Sequence, residues 1–166
     1  MVYFFILYIC SLILTLAVVK DRKIKSKKVI LASDHAGFKL KEEIKKYLIK
    51  KRKKVLDLGT KNTSSVDYPD YAHLLSKKMK KNSNQFGILV CGTGTGMSMA
   101  ANKHKNIRAA LCYNNKSTKL SRSHNNANVM TIGSRSIKKN VALKCVSTFL
   151  KTEFDGGRHA RRVKKI

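Results

Sequence analysis

FGILVCGTGTGMSMAAN, residues Phe86 to Asn102, decides the fold. The apolar run Phe86–Val90 has strand length and ends at Cys91; Gly92, Gly94 and Gly96 follow, and then the helix-compatible segment Met97–Asn102. Strand, glycine turn and helix in succession form the repeating unit of parallel sheets, whose turns lie at the carboxyl edge of the sheet, where ligands bind. Alternate glycines let the backbone approach a ligand and turn several N–H groups towards one point, and the following helix adds the positive end of its dipole. Such a loop cradles an anion. Its spacing, G-x-G-x-G, matches neither G-x-G-x-x-G nor G-x-x-x-x-G-K-[ST], so neither NAD nor ATP is implied. Cys91 stands just before the glycines. A thiol near a helix N-terminus has its pKa lowered, which suits a base or a nucleophile. A cysteine at a strand end is also a common core residue, and the loop alone leaves both readings open.

The chain on either side repeats the pattern. Val29–Ser33 reads as a strand, followed by Asp34-His35-Ala36-Gly37 and a helix with Leu40, Ile44, Tyr47 and Leu48 on one face. Val55–Leu58 is a second strand ending at Gly59, and the proline of Asp67-Tyr68-Pro69-Asp70 starts a helix through Leu75 and Met79. Arg108–Tyr113 is the fourth strand, Lys116–Ser123 is helical at best, and Val129–Ile132 is the fifth strand, ending at Gly133-Ser134-Arg135. A long helix bearing Ile137, Val141, Lys144, Cys145 and Thr148 follows, broken by Gly156-Gly157 before Arg158 and Arg162. Strands alternating with helices predict an α/β fold with a parallel sheet covered on both faces. In that topology Asp34, His35, Tyr68, Cys91 with its glycines, and Arg135 all follow strand carboxyl ends and are predicted to converge. An acid, a histidine, a thiol, an anion hole and a cation suit proton transfer on a small phosphorylated molecule. Arg158 and Arg162, four residues apart, put two guanidinium groups on one helix face, either to clasp a phosphate or as a solvated tail. Taken singly, His124 reads as a surface histidine and His35 as a helix cap.

Of the 166 residues, 1–19 form an apolar leader, read as a signal, an uncleaved anchor or an upstream extension that is not used; 20–27 form a basic linker; and 28–166 form the folded domain. The leader has about the minimum length to span a hydrocarbon core, giving possible membrane association through residues 2–19. The basic residues after it would keep the domain of an uncleaved anchor on the cytosolic side, and a signal leading to an organelle fits the same residues. The four cysteines form no C-x-x-C pair and no cluster with histidines, so no metal site or redox motif is implied. The net charge of +27 comes mostly from lysine in short runs such as Lys50–Lys54 and Lys77–Lys81. That describes a solvated basic face with weak polyanion attraction and no specific nucleic-acid partner.

SDHAGFKLK, DLGT, DYPDYA, ILVCGTGTGMSMAANK, IRAALCYN, SRSHNNANV, GSR and GGRHARRV stand in this order between about Lys28 and Lys164. In these motifs the chain resembles type B ribose-5-phosphate isomerases, in the wider group that includes the galactose-6-phosphate isomerase subunits. The resemblance implies a Rossmann-like three-layer α/β/α sandwich with a five-stranded parallel sheet, acting as a homodimer with shared active sites and without a cofactor or metal. It implies an aldose–ketose isomerase acting on ribose 5-phosphate, in which an acid/base matching His124 opens the ring. A base matching Cys91 then moves a proton between C2 and C1. Gly92, Thr93, Gly94, Thr95 and Gly96 match the enediolate hole, with Thr95 replacing a commonly apolar residue. Asp34 and Asn125 match residues that hold sugar hydroxyls, and Tyr68 one that lines the pocket. His35, Arg135, Arg158 and Arg162 match a phosphate grip drawn partly from the partner subunit. The alternatives are a hexose-6-phosphate isomerase of the same family and a non-catalytic, polyanion-binding protein on the same fold.

Overall fold

Successive residues of the central strands are apolar on both sides, which only a sheet buried on both faces can satisfy. The computed structural model describes residues 28–79 and 84–166; the apolar leader, the basic linker and part of the Lys77–Lys81 run lie outside the described residues. The strands β1 (Lys28–Ser33), β2 (Val55–Asp57), β3 (Gln85–Cys91), β4 (Ala109–Leu111) and β5 (Val129–Gly133) pair in parallel in the order β2-β1-β3-β5-β4. On β1, Val29 and Leu31 enter one core while Ile30 and Ala32 enter the other, and on β3 Ile88 and Val90 oppose Leu89 and Cys91. One face is covered by α1 (Phe38–Lys50) and α5 (Lys139–Lys151), with α4 (Asn115–Ser123) packed on α5. The other face is covered by α2 (Tyr68–Lys78) and α3 (Thr95–Ala101), and α6 (Gly157–Val163) ends the order. This is the three-layer α/β/α sandwich. Each fully buried Leu, Ile or Val contributes about 1.5–3 kcal/mol. Among the described residues no helix is long and apolar enough to cross a membrane.

The chain leaves β1 for β2 on one side and returns to β3 on the other. The strand order therefore reverses between β1 and β3, opening a crevice at their carboxyl ends.

Local expectations needed correction at three points, and one lysine is buried. α3 begins at Thr95 instead of Met97, because Gly94 takes a left-handed conformation (φ 84) and forms the N-cap. β4 covers only Ala109–Leu111 of the expected Arg108–Tyr113. α4 is a regular helix because the Asn114 side chain accepts the Ser117 N–H at 2.8 Å. Lys41 is 1% exposed on the inward face of α1; its Nζ donates to both Asp57 oxygens (3.0 and 2.9 Å) and to Glu42. Burial alone would raise the Asp57 carboxyl, but the hydrogen bonds from Lys45, Lys41 and the Gly59 N–H prevail and hold it below the usual carboxylate value. This cluster fastens α1 to β2.

A second polar fastener joins α2 to the segment after α3. His73 Nδ1 lies 2.8 Å from His104 Nε2, so one ring donates and the other accepts. Burial, then His73 and Lys77, pull His104 below the ordinary histidine value. Near that ordinary value the unfolded chain binds more protons than the folded one, so stability rises with pH across the window and is lost on acidification. The urea midpoint is therefore expected to fall between about pH 7.5 and about pH 5, and His104→Asn is expected to flatten that fall. An equally steep fall in the variant would assign the acid sensitivity elsewhere.

Candidate active site

The crevice is closed by backbone lying on backbone. A Cβ on Gly37 would stand 2.1 Å from the Val90 carbonyl oxygen, so only glycine lets the β1–α1 turn rest on the end of β3. The buried Asp34 caps that turn: its Oδ1 accepts the Gly37 N–H at 2.8 Å, and its own N–H donates to the Val90 carbonyl at 3.2 Å. From the other side, the Ser134 N–H donates to the Cys91 carbonyl (2.8 Å), the Arg135 N–H to the Gly92 carbonyl (3.0 Å) and the Ser134 hydroxyl to the Ala36 carbonyl (2.9 Å). Gly133 has no room for a side chain either, since a Cβ there would meet the Thr93 carbonyl oxygen at 2.4 Å.

Between these turns lies Cys91, 4% exposed, with its Sγ accepting the Gly94 N–H at 3.0 Å. α3 has only seven residues, so individual N–H groups rather than a long helix dipole supply the positive field. The Arg135 guanidinium lies against Gly92, within 3.4–3.6 Å of where a Cβ would be. Thr93 and Thr95 are exposed, and Gly96 lies in the first turn of α3, where its missing side chain admits the Tyr68 ring. His35 Nδ1 stands 3.2 Å from both the N–H and the carbonyl of Val66, fixing the ring beside Asp34. Asp34, His35, Tyr68, Cys91, the glycine turn and Arg135 therefore do gather, as their positions after strand ends predict.

His124, Asn125, Arg158 and Arg162 form a second group elsewhere. α4 runs back from the carboxyl end of β4 to the amino end of β5, and His124 is its C-cap. The five residues of β5 span about 13 Å, far beyond the roughly 3 Å over which a proton is transferred. Here the His124 ring stacks on His159 (centroids 4.1 Å apart, planes at 7°), and its Nε2 lies 4.0 Å from Asp155 Oδ2. Burial, then the neighbouring His124, Arg158 and Arg162, lowers the His159 pKa. Ligand atoms of His124, Asp155 and His159 lie within 4.8 Å of one another. Their rings are parallel, so the nitrogen lone pairs do not converge on one point, and the nearby arginines make the cluster better suited to an anion than to a cation. Asn125 is exposed at a cavity of about 380 Å³ shared with Arg108, Ser121 and Val163.

Residue-by-residue reading of the sequence missed Ser134, Asp155, His159 and Ser33. The Ser33 hydroxyl, at the end of β1, is buried without a hydrogen-bond partner among the described residues. The signal for Ser134 was its place immediately after a strand-ending glycine. Nothing in the local pattern marks Asp155 or the His124–His159 stack.

Residues 29–166 match the model of the Ribose/Galactose Isomerase family. Ribose-5-phosphate isomerase B of Escherichia coli (strain K12) is 41% identical over 140 residues, covering 84% of this chain and 94% of that protein. The crystal structure of a ribose 5-phosphate isomerase from Thermotoga maritima superposes with a TM-score of 0.81 at 52% identity, covering 83% of this chain and 95% of the other. That of ribose-5-phosphate isomerase B from Mycoplasma genitalium, with bound ribulose-5-phosphate, gives a TM-score of 0.80 at 46% identity, covering 83% and 92%. With the match running over nearly all described residues and the crevice built from the motifs quoted above, the chain belongs to the Ribose/Galactose Isomerase family.

Proposed function

We propose that this protein interconverts D-ribose 5-phosphate and D-ribulose 5-phosphate through an enediolate. The observation that carries the reading is the Cys91 sulfur, held by the Gly94 N–H in a glycine turn beside the Arg135 guanidinium. His124 opens the furanose by moving a proton from the C1 hydroxyl to the ring oxygen. The Cys91 thiolate then takes the C2 proton and returns it to C1, while the hydroxyl proton passes from the C2 oxygen to the C1 oxygen. Negative charge develops on oxygen only along this path, so N–H groups fixed in advance lower the barrier more than they tighten substrate binding; one such donor is worth about 3 kcal/mol. Gly94 spends its N–H on the sulfur and Thr95 donates to the Thr93 hydroxyl at 3.4 Å, which leaves the N–H groups of Gly92, Thr93, Gly96 and Met97 for the oxyanion. Asp34 and Asn125 hold sugar hydroxyls and Tyr68 lines the pocket. His35, Arg135, Arg158 and Arg162 grip the phosphate.

His124 and Cys91 of one chain stand at opposite ends of the sheet, and this supports a homodimer in which each site takes Cys91 from one copy and His124 from the other. Met99, Leu111, Tyr113 and Leu120 lie exposed along the β4 edge, apolar surface suited to such a contact.

With a chelator present, the full chain is expected to form ribulose 5-phosphate from ribose 5-phosphate, and Cys91→Ala to lose about a hundredfold to ten-thousandfold in turnover while remaining folded. Near-normal turnover in that variant would remove Cys91 as the base. Co-expressed in equal amounts, Cys91→Ala and His124→Ala chains are expected to recover about one quarter of wild-type activity, since half of the dimers then hold one intact site. No recovery would place both groups in one chain's site. In heavy water His124→Ala should still exchange the C1 hydrogen of ribulose 5-phosphate, which needs no ring opening, while its net isomerisation falls. Equal losses in both assays, read by proton NMR, would contradict the ring-opening role.

A further inference from the structure

The loop carrying His124 and Asn125 is fastened by a buried cation. Arg122, in the last turn of α4, is 5% exposed, with its guanidinium 4.8 Å from the Phe86 ring centroid and 5.7 Å from that of Phe149. Its Nη1 donates to the Ala127 carbonyl and to Asn126 Oδ1 (3.0 Å), and its Nε donates to the Thr152 carbonyl at 3.3 Å. Ala127 and Asn126 belong to the turn from His124 into β5; Thr152 is the C-cap of α5 and opens the segment leading to α6. One planar group therefore ties the strand of chain that carries His124 and Asn125 to the strand that carries Asp155, Arg158 and Arg162. The Asp155 N–H, donating to the Ser123 carbonyl at 3.0 Å, closes the same junction.

The turn is held away from its relaxed state. Asn126 has φ 48, a left-handed conformation that asparagine tolerates but that needs support. Its carbonyl accepts from Arg108 Nε at 2.9 Å and its side chain accepts from Arg122. The guanidinium reaches these acceptors from two different nitrogens, Nε and Nη1, held in one rigid plane, a reach that the single nitrogen of an ammonium group does not reproduce.

We infer that Arg122 is a positioning residue that sets the distance between the ring-opening histidine and the phosphate-clasping arginines. The inference rests on the isomerase reading above and adds a residue that touches no substrate. Misplacing His124 by an ångström or so impairs ring opening, whereas proton transfer at C1 and C2, carried out at the other end of the sheet, is spared.

The test uses the full chain as wild type, Arg122→Lys, Arg122→Gln and Asn126→Gly, with three readouts: the thermal midpoint, isomerisation of ribose 5-phosphate, and heavy-water exchange at C1 of ribulose 5-phosphate at saturating concentration. Folded Arg122→Gln is expected to lose about tenfold or more in isomerisation turnover and to keep C1 exchange within about threefold of wild type, with Arg122→Lys between the two. A lowered thermal midpoint with unchanged turnover per folded protein, or losses that are equal in both assays, overturns the inference. If neither Arg122 variant folds, Asn126→Gly decides: it relieves the left-handed backbone and deletes one acceptor of Arg122. A smaller change in the same direction supports the inference, and an unchanged ratio of isomerisation to exchange overturns it. Wild-type protein lacking both activities would instead remove the isomerase reading on which the inference stands.

Discussion

Everything at the carboxyl edge of the sheet depends on main chain touching main chain where side chains would normally intervene. Gly37 lies on the Val90 carbonyl and Gly133 on the backbone of Thr93, and the parallel register sets Cys91 beside Gly133. These contacts bring the turns after β1, β3 and β5 close enough to share hydrogen bonds, so backbone geometry fixes where Asp34, Cys91 and Arg135 stand before their own side-chain contacts act. A methyl group at either glycine would force a shift of more than an ångström, about the displacement at which catalytic alignment is lost. The crevice is thus rigid for the same reason that it is narrow.

Much of this was legible in the residues. The β3 strand and its turn could be read because an apolar run and alternating glycines are local signals, and topology then placed Asp34, Tyr68 and Arg135 at the same edge. Lys41 was not legible as a buried group, because a lysine on an amphipathic helix reads as solvent-facing until its partner Asp57, sixteen residues away, is known. β4 was read too long because an edge strand needs fewer paired residues than its apolar run offers. Gly96 read as part of the loop, but its use is to admit Tyr68 from α2, a contact no spacing rule contains. The separation of His124 from Cys91 was implicit: the same rule that puts strand-following turns at one edge puts the end of every crossover helix at the other.

Charge is distributed to match. The chain carries 36 Lys and Arg against 9 Asp and Glu; the first group of site residues sets Arg135 with Asp34, and the second sets Arg158 and Arg162 near Asp155. Arg135 meets the glycine turn, while Arg158 and Arg162 lie near the His124–His159 stack. A doubly anionic phosphate ester is drawn to either end, and the net positive charge of the chain raises its local concentration.

The glycine contacts also divide the site into positions that are closed to change and positions that are open to it. Gly37, Gly94 and Gly133 admit no side chain without moving another loop, so they constrain any descendant of this sequence. Thr93 and Thr95 project into solvent from the same turn, and Asn125 and the α6 residues stand on a separate scaffold at the far edge. Side chains can therefore vary at those outward positions while the backbone that holds Cys91 and its N–H donors stays in place, so that substrate range can drift without a change in the turn that moves the proton between C2 and C1.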